Sequence, residues 1–302
     1  MANPAVPTDR SRPSRGRLRK DRFPLLALTP LLVALVLLTL YPAAQLVRMA
    51  FSDVGLVSGG TTWSFVGLEH LRTLAGDRVA RIAFTNTLIF TVVVVPIEAV
   101  LGLLLAYLVN QTRVLGTFYK TVFIVPLLLP PIAIGALWRL MLDYNYGVVN
   151  QALLAFGIGG PPWLASPTLA LPMVMLVDVW HWTSFMFLIF LAGVSSIPLE
   201  LGEAAEVDGA SPWQVFRYVV LPILKPTIVV ALMMRTILAF KVFDQIYLLT
   251  GGGPGTATEV ISFTIYRRFF TEDQAGYGAA ISIATFVFIA VLIALASRFN
   301  KR

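Results

Sequence analysis

Six apolar runs, each close to the ~20 residues that an α-helix needs to cross a hydrocarbon core, limit what this 302-residue chain can fold into. They occupy residues 23–47, 84–109, 120–142, 169–194, 226–249 and 277–296. Lipid offers backbone amides no partner, so such runs close their hydrogen bonds within themselves. The expectation is an all-α polytopic membrane protein with about six transmembrane helices. Composition agrees: 57% of residues are hydrophobic and 13% charged, against about 25% charged in soluble domains, and the mean hydropathy is +0.80. One polytopic domain over residues 23–302 therefore fits better than a soluble domain with an anchor. The chain has no cysteine, which excludes disulfides and thiolate metal sites but says nothing of compartment.

Charge sets the expected topology. Residues 1–22 carry Arg10, Arg12, Arg15, Arg17, Arg19, Lys20 and Arg22 against Asp9 and Asp21, and read as a disordered basic cytoplasmic tail. The first apolar run exceeds the ~7 to 15 apolar residues of a secretory signal, so it is read as a retained span rather than a leader cleaved after Pro42-Ala-Ala. An even number of spans puts both termini on one side. The tail, Arg113, Lys120, Arg217, Lys225 and the terminal Arg298, Lys301 and Arg302 then fall in the cytoplasm. Arg72, Arg78, Arg81, Arg267 and Arg268 fall outside, outweighed by the tail. The net charge of +7 is thus a topology signal, and no nucleic-acid partner is expected. No tandem repeat is visible. The loop over residues 48–81, with Gly59-Gly60, Trp63 and Gly67, reads as a polar outer loop with turns. Pro126, Pro130 and Pro131 should kink or locally unwind the third run, either as a bend for a gate or as passive kinks.

Between the fourth and fifth runs, residues 195–226, the chain turns polar. Glu203-Ala204-Ala205-Glu206-Val207-Asp208 is a short alanine-rich acidic helix former, and Gly209 follows where a left-handed residue would stop it. Ser211 is then a good N-cap, Pro212 suits the first helical position, and Gln214 completes a capping box. Trp213, Phe216 and Val220 fall on one face, and Pro222 and Pro226 are expected to close the element before the next run. Two short helices joined at a glycine make a knuckle suited to a partner's cleft, although an ordinary amphipathic loop has the same composition.

Glu203-Ala204-Ala205, Asp208-Gly209-Ala210 and Leu221-Pro222, at these spacings, resemble the EAA signature of binding-protein-dependent ABC importer permeases. The resemblance implies that this loop is a coupling helix seated in a groove of a cytoplasmic ATPase, with Trp213, Phe216 and Pro222 among its residues. The run Phe240-Lys241-Val-Phe-Asp244-Gln245-Ile-Tyr247-Leu-Leu-Thr-Gly-Gly-Gly-Pro254 is similar to the sugar-importing branch, the subunit type of the maltose permease F and glycerol-phosphate permease A subunits. The family pattern implies a second homologous permease in a heterodimer, two ATPase subunits, an external sugar-binding protein and the plasma membrane of a bacterium or archaeon. It also implies that the segments around Trp180–Phe185 and Lys241–Tyr247 line the translocation pathway.

The residues can be read without that resemblance. Asp178, His181, Trp182 and Phe185 share one face of the fourth run, beside Trp180. A carboxylate, an imidazole and aromatic planes suit sugars, whose hydroxyls need directional partners and whose C–H faces stack. The alternative is an interhelical contact, with Asp178 paired to a neighbouring lysine or arginine. In the fifth run stand Arg235, Lys241, Asp244, Gln245 and Tyr247, where Lys241 and Asp244 are placed to neutralise each other. Charged groups here keep a phosphorylated or otherwise charged sugar derivative open as cargo. Glu98 reads as a buried hydrogen-bonding group rather than a proton carrier.

The two histidines, His70 and His181, are too far apart in this topology to form a metal pair, and no lysine follows a glycine, so the phosphate-binding P-loop is missing. The reading is a permease subunit that is not an enzyme, holds no cofactor, and depends on a nucleotide site carried by another polypeptide. An ion-coupled secondary transporter acting alone, with Glu98, Asp178, His181 and Asp244 as its ion sites, is the competing class.

Overall fold

The structure, a computed structural model, describes residues 22–57, 60–112 and 115–300. The expected tail up to Asp21, with Gly59, Arg113, Lys301 and Arg302, lies outside the described residues. The chain divides into two units, residues 1–48 and 49–302. The described part of the first is most of the apolar helix α1 (Arg22–Ala50), which continues through Pro30 and Pro42.

In the second unit a hairpin, β1 (Ser52–Val57) and β2 (Gly60–Phe65), pairs Ser52 with Phe65 and Val57 with Gly60 in antiparallel register. Helix α2 (Glu69–Gly76) follows, and its His70 Nε2 lies 3.2 Å from the Ser52 carbonyl. The sequence read this region only as a polar loop, because a hairpin with one polar face shows little apolar alternation. The long helix α3 (Arg78–Gln111) runs through Pro96. Next come α4 (Gly116–Leu128), α5 (Pro131–Met141), α6 (Val148–Ala155) and α7 (Ala170–Ser195). The polar segment forms α8 (Leu199–Val207) and α9 (Pro212–Val215), and a π turn (Phe216–Val220) leads into α10 (Leu221–Phe240). The chain ends with α11 (Asp244–Leu249), α12 (Ile261–Tyr266) with a second π turn (Arg267–Thr271), and α13 (Ala275–Asn300).

Among the described residues, 5 helices are long and apolar enough to cross a membrane: those over Ala27–Ala50, Arg78–Gln111, Ala170–Ser195, Pro212–Phe240 and Ala275–Arg298. The count rises to 6 if α4 and α5, bent by 94°, form one broken span. That bend lies where the prolines predict it. Pro130 supplies no N–H, Leu129 N–H turns back to the Pro126 carbonyl, and Pro131 starts α5.

Two boundaries differ from expectation. Pro222 and Pro226 do not close the knuckle, because helix runs through both into the membrane segment. The π turn is the reason: Leu221 N–H reaches back to the Phe216 carbonyl, and the widened turn makes room for the ring of Pro222, whose missing donor costs nothing there. The fifth run, in turn, is not one helix to residue 249. It stops at Phe240 and restarts at Asp244, and the Val242 carbonyl freed by the break accepts the Ser262 hydroxyl.

The core lies where α3, α7 and α10 meet, with Phe90, Val94, Val177, Phe187, Phe190 and Ala231 buried. Small residues set the approach. A Cβ on Gly102 of α3 would lie 2.6 Å from Met186 Cβ and 2.8 Å from Phe187 N of α7, and one on Gly193 of α7 would lie 2.8 Å from Leu224 Cδ2 of α10. Helices in lipid associate by such close packing, since the lipid tails are as apolar as the side chains. Gly102→Val should therefore force α3 from α7 at a cost of about 1–3 kcal/mol, seen as a lowered melting temperature in detergent. Gly76→Ala, at a position open to solvent, should leave melting unchanged.

Candidate functional site

The knuckle is built by local rules and then pinned to the bundle. Helix α8 ends in a Schellman motif: Ala210 N–H donates to the Ala205 carbonyl at 2.9 Å, and Gly209 N–H to the Glu206 carbonyl at 3.0 Å. Gly209 sits at φ +84°, a conformation that L side chains adopt at a cost of about 1–2 kcal/mol. Ser211 then opens α9 with a reciprocal capping box, its N–H donating to Gln214 Oε1 at 2.7 Å and its hydroxyl accepting from Gln214 N–H at 3.4 Å. Underneath, Val215, Val220 and Leu224 bury against Val194, with Ala205 and Ala210 packed at their edge. The ring of Tyr107 on α3 packs against Phe216 in a tilted contact at 4.8 Å, and its hydroxyl donates to the Pro212 carbonyl at 3.5 Å.

The exposed surface carries an acidic and apolar rim on α8 and the start of α9, with the basic Arg217 and Lys225 exposed beyond it. Glu203, Ala204, Asp208, Gly209 and Pro222 are exposed, Val207 is 87% exposed, and Trp213 is 69% exposed. The expected stripe is thus graded: Trp213 faces out, Phe216 is half-buried, and Val220 is core.

A second cluster lies deep between α3, α7 and α10. Arg235, 1% exposed, donates Nε to Glu98 Oε2 at 2.5 Å and Nη2 to Glu98 Oε1 at 2.9 Å, a bidentate pair, and donates Nη2 also to Asp178 Oδ2. The ring of Trp182 covers the guanidinium at 4.7 Å. Asp178 and Trp182 line a cavity of about 260 Å³ with Lys241, Asp244 and the buried Gln245. The break between α10 and α11 swings these last three towards α7. No ion pair joins Lys241 to Asp244 among the described residues.

The other expected pathway residues stand apart from that cavity. Trp180 is edge-on to Trp138 of α5 at 5.7 Å. His181 is buried against Trp182, and Phe185 meets the same ring edge-on at 5.6 Å. Tyr247 belongs to an aromatic cluster with Phe243 and Tyr266. The sequence places Glu98, Asp178 and Arg235 on three different spans, where buried charges need partners, but with Asp244 and Lys241 also in the fifth run it does not say which of them meet.

At the end of the bundle away from the knuckle, Asp77 caps α3, accepting from Val79 N–H at 2.7 Å and Ala80 N–H at 3.2 Å. Its other oxygen takes Arg268 Nη2 at 3.0 Å and the Tyr277 hydroxyl at 2.7 Å. The glycine-rich loop after α11 is tied to the same helix, since Asn86 Nδ2 donates to the Glu259 carbonyl at 2.9 Å and Thr87 Oγ1 accepts from Ile261 N–H at 2.9 Å.

Comparison with known proteins bears on these features. Residues 98–302, more than half of the chain, match the family of the binding-protein-dependent transport system inner membrane component. The chain is 37% identical over 261 residues to the sulfoquinovosyl glycerol transport system permease protein SmoG of Agrobacterium fabrum, covering 86% of this chain and 84% of that one. It is 36% identical over 283 residues to the trehalose/maltose transport system permease protein MalF of Thermococcus litoralis, covering 93% and 94%. A chain of a bacterial alginate ABC transporter, solved in complex with an alginate pentasaccharide-bound periplasmic protein, superposes with a TM-score of 0.84 at 26% identity, covering 95% of this chain and 97% of that one.

Burial disfavours the Asp77 carboxylate, but the Tyr277 hydroxyl, the two amides and Arg268 outweigh it and hold the acid below its ordinary value. The contribution of a depressed acid is complete above the unfolded aspartate pKa of about 3.9 and is lost as pH falls through the lower folded value. Asp77→Ala should weaken the start of α3 by about 1 kcal/mol at neutral pH, read as faster amide exchange there. The difference from the native chain should vanish in acid below that range.

Proposed function

The chain belongs to the family of binding-protein-dependent transport system inner membrane components, and on that premise we propose that its knuckle is the element through which separate ATPase subunits drive uptake of a sugar or sugar derivative. It is a multi-pass membrane permease subunit of an ABC importer. It works with a second permease, ATPase subunits and an external binding protein. The observation that carries the reading is the pinned knuckle: α8 and α9 present Glu203, Val207 and Trp213 outward while Tyr107, Val215 and Val220 fix them to the bundle. A rim held this rigidly passes on a push instead of absorbing it.

The remaining assignments follow from that one. Residues 1–22 are a cytoplasmic tail, residues 23–302 the permease domain, and both termini lie on the knuckle's side of the membrane. ATP is hydrolysed on the partner subunits, whose closure moves the knuckle and rocks the two permeases between inward-facing and outward-facing states. Asp178, Trp182, Lys241 and Asp244 face the pathway, supported by the cavity they share. The carbohydrate cargo is supported by the names of the relatives, which concern sulfoquinovosyl glycerol, trehalose/maltose and alginate.

Glu203→Ala and Gly209→Val should leave the amount of chain in the membrane unchanged. Each should cut binding-protein-dependent sugar uptake by roughly tenfold, the valine because it must adopt a left-handed turn costing about 1–2 kcal/mol. Normal uptake by both variants, or gradient-driven uptake by the chain alone in liposomes, would overturn the reading. Calorimetry of the cognate binding protein with candidate sugars should find one that binds; affinity for no carbohydrate or polyol phosphate would remove the cargo class.

A further inference from the structure

The triad of Glu98, Arg235 and Asp178 joins three helices at one height. Glu98 lies on α3, Asp178 on α7 and Arg235 on α10. Helix α7 enters the knuckle and α10 leaves it, while α3 carries Tyr107 against its base. At a rise of 1.5 Å per residue the three side chains stand roughly 20–25 Å from the knuckle ends of their helices, deep in hydrocarbon. Nearer the knuckle Gly102 brings α3 onto α7, and at the knuckle end of α7 Gly193 brings it onto α10.

Stability alone does not explain an ionic cluster there. Desolvation offsets most of the Coulomb attraction of a buried pair, and apolar residues of similar volume hold such helices as well or better. What the ions add is direction. Glu98 takes two edges of the guanidinium, Asp178 takes one of the same nitrogens from another helix, and Trp182 covers the face. A rotation or slide of any one helix would strand a carboxylate in lipid, whereas apolar side chains would simply repack.

We propose that Arg235 is a positioning residue for nucleotide-driven transport: through Glu98 and Asp178 it clamps α3, α7 and α10 into one lever, so that force arriving at the knuckle turns the three helices together. The clamp rests on the reading of α8 and α9 as the ATPase-driven element. The short helix α11 lies beyond the break and is not part of the ion cluster, but its buried Gln245 reaches the Asp178 carboxyl from the cavity side.

The test uses the assembled complex, with its partner permease, ATPases and binding protein, in proteoliposomes. The chain contains no cysteine, so with cysteine-free variants of the partner chains nitroxides can be placed in pairs at Leu104→Cys, Leu188→Cys and Val230→Cys, exposed positions on α3, α7 and α10. In the native background the three distances should be the same without nucleotide and with ATP plus vanadate. In Arg235→Met, or in the apolar triple variant Glu98→Met, Asp178→Leu, Arg235→Met, the distance distributions should broaden and shift between the two states. Sugar taken up per ATP hydrolysed should fall by about tenfold or more, the scale of a typical coupling free energy. The triple variant keeps the test open if Arg235→Met fails to fold. Unchanged distances and an unchanged ratio in a variant that melts like the native complex would overturn the clamp alone. A native complex that hydrolyses ATP without binding-protein-dependent uptake would overturn the functional reading, and the clamp with it.

Discussion

A guanidinium buried in hydrocarbon must be answered by carboxylates, and around Arg235 the rest of the membrane bundle is arranged. Two acids answer it from two helices, and Gly102, one turn from Glu98, brings α3 close onto α7 beside them. Without that small residue α3 and α7 would stand farther apart, and the charges would be less well answered at a cost that apolar packing does not recover. The polar interior and the small-residue contacts are therefore one design.

The knuckle works on a different physical basis. Its shape comes from neighbours in sequence: a left-handed glycine, a capping box and a proline at the first helical turn. Such motifs form without help from distant residues, which suits a segment that must keep its form where few apolar contacts cover it. Its orientation is another matter. Tyr107, 105 residues before Pro212, and the buried Val215, Val220 and Leu224 decide which way the acidic rim points. Local rules make the shape, and long-range packing aims it.

The opposite end of the bundle repeats this division. Asp77 is a local N-cap for α3, yet its second oxygen gathers Arg268 and Tyr277 from the far end of the chain. Asn86 and Thr87 hold the glycine-rich loop down on the same helix. Both ends of α3 thus report to distant segments, one to the knuckle and one to the loop after α11, and α3 becomes the common strut of the second unit.

By itself the sequence determined the features that depend on near neighbours and on solvent. Runs such as 84–109 and 169–194 are too apolar to be anything but spans, Pro130 and Pro131 had to break the third run, and Gly209 with Ser211 and Gln214 had to make the knuckle. Only the tertiary structure decided which charges meet and which aromatic faces which neighbour. Asp178 could have reached several basic groups, and it is the packing of α3, α7 and α10 that selects Arg235 and adds Glu98. The continuation of helix through Pro222 and its break after Phe240 were decided there too, because a π turn and a hydroxyl from Ser262 satisfy backbone groups that local preference would have left open. Hydrophobicity and turn chemistry are written along the chain, whereas the pairing of buried charges depends on distances between helices, which exist only once those helices have packed.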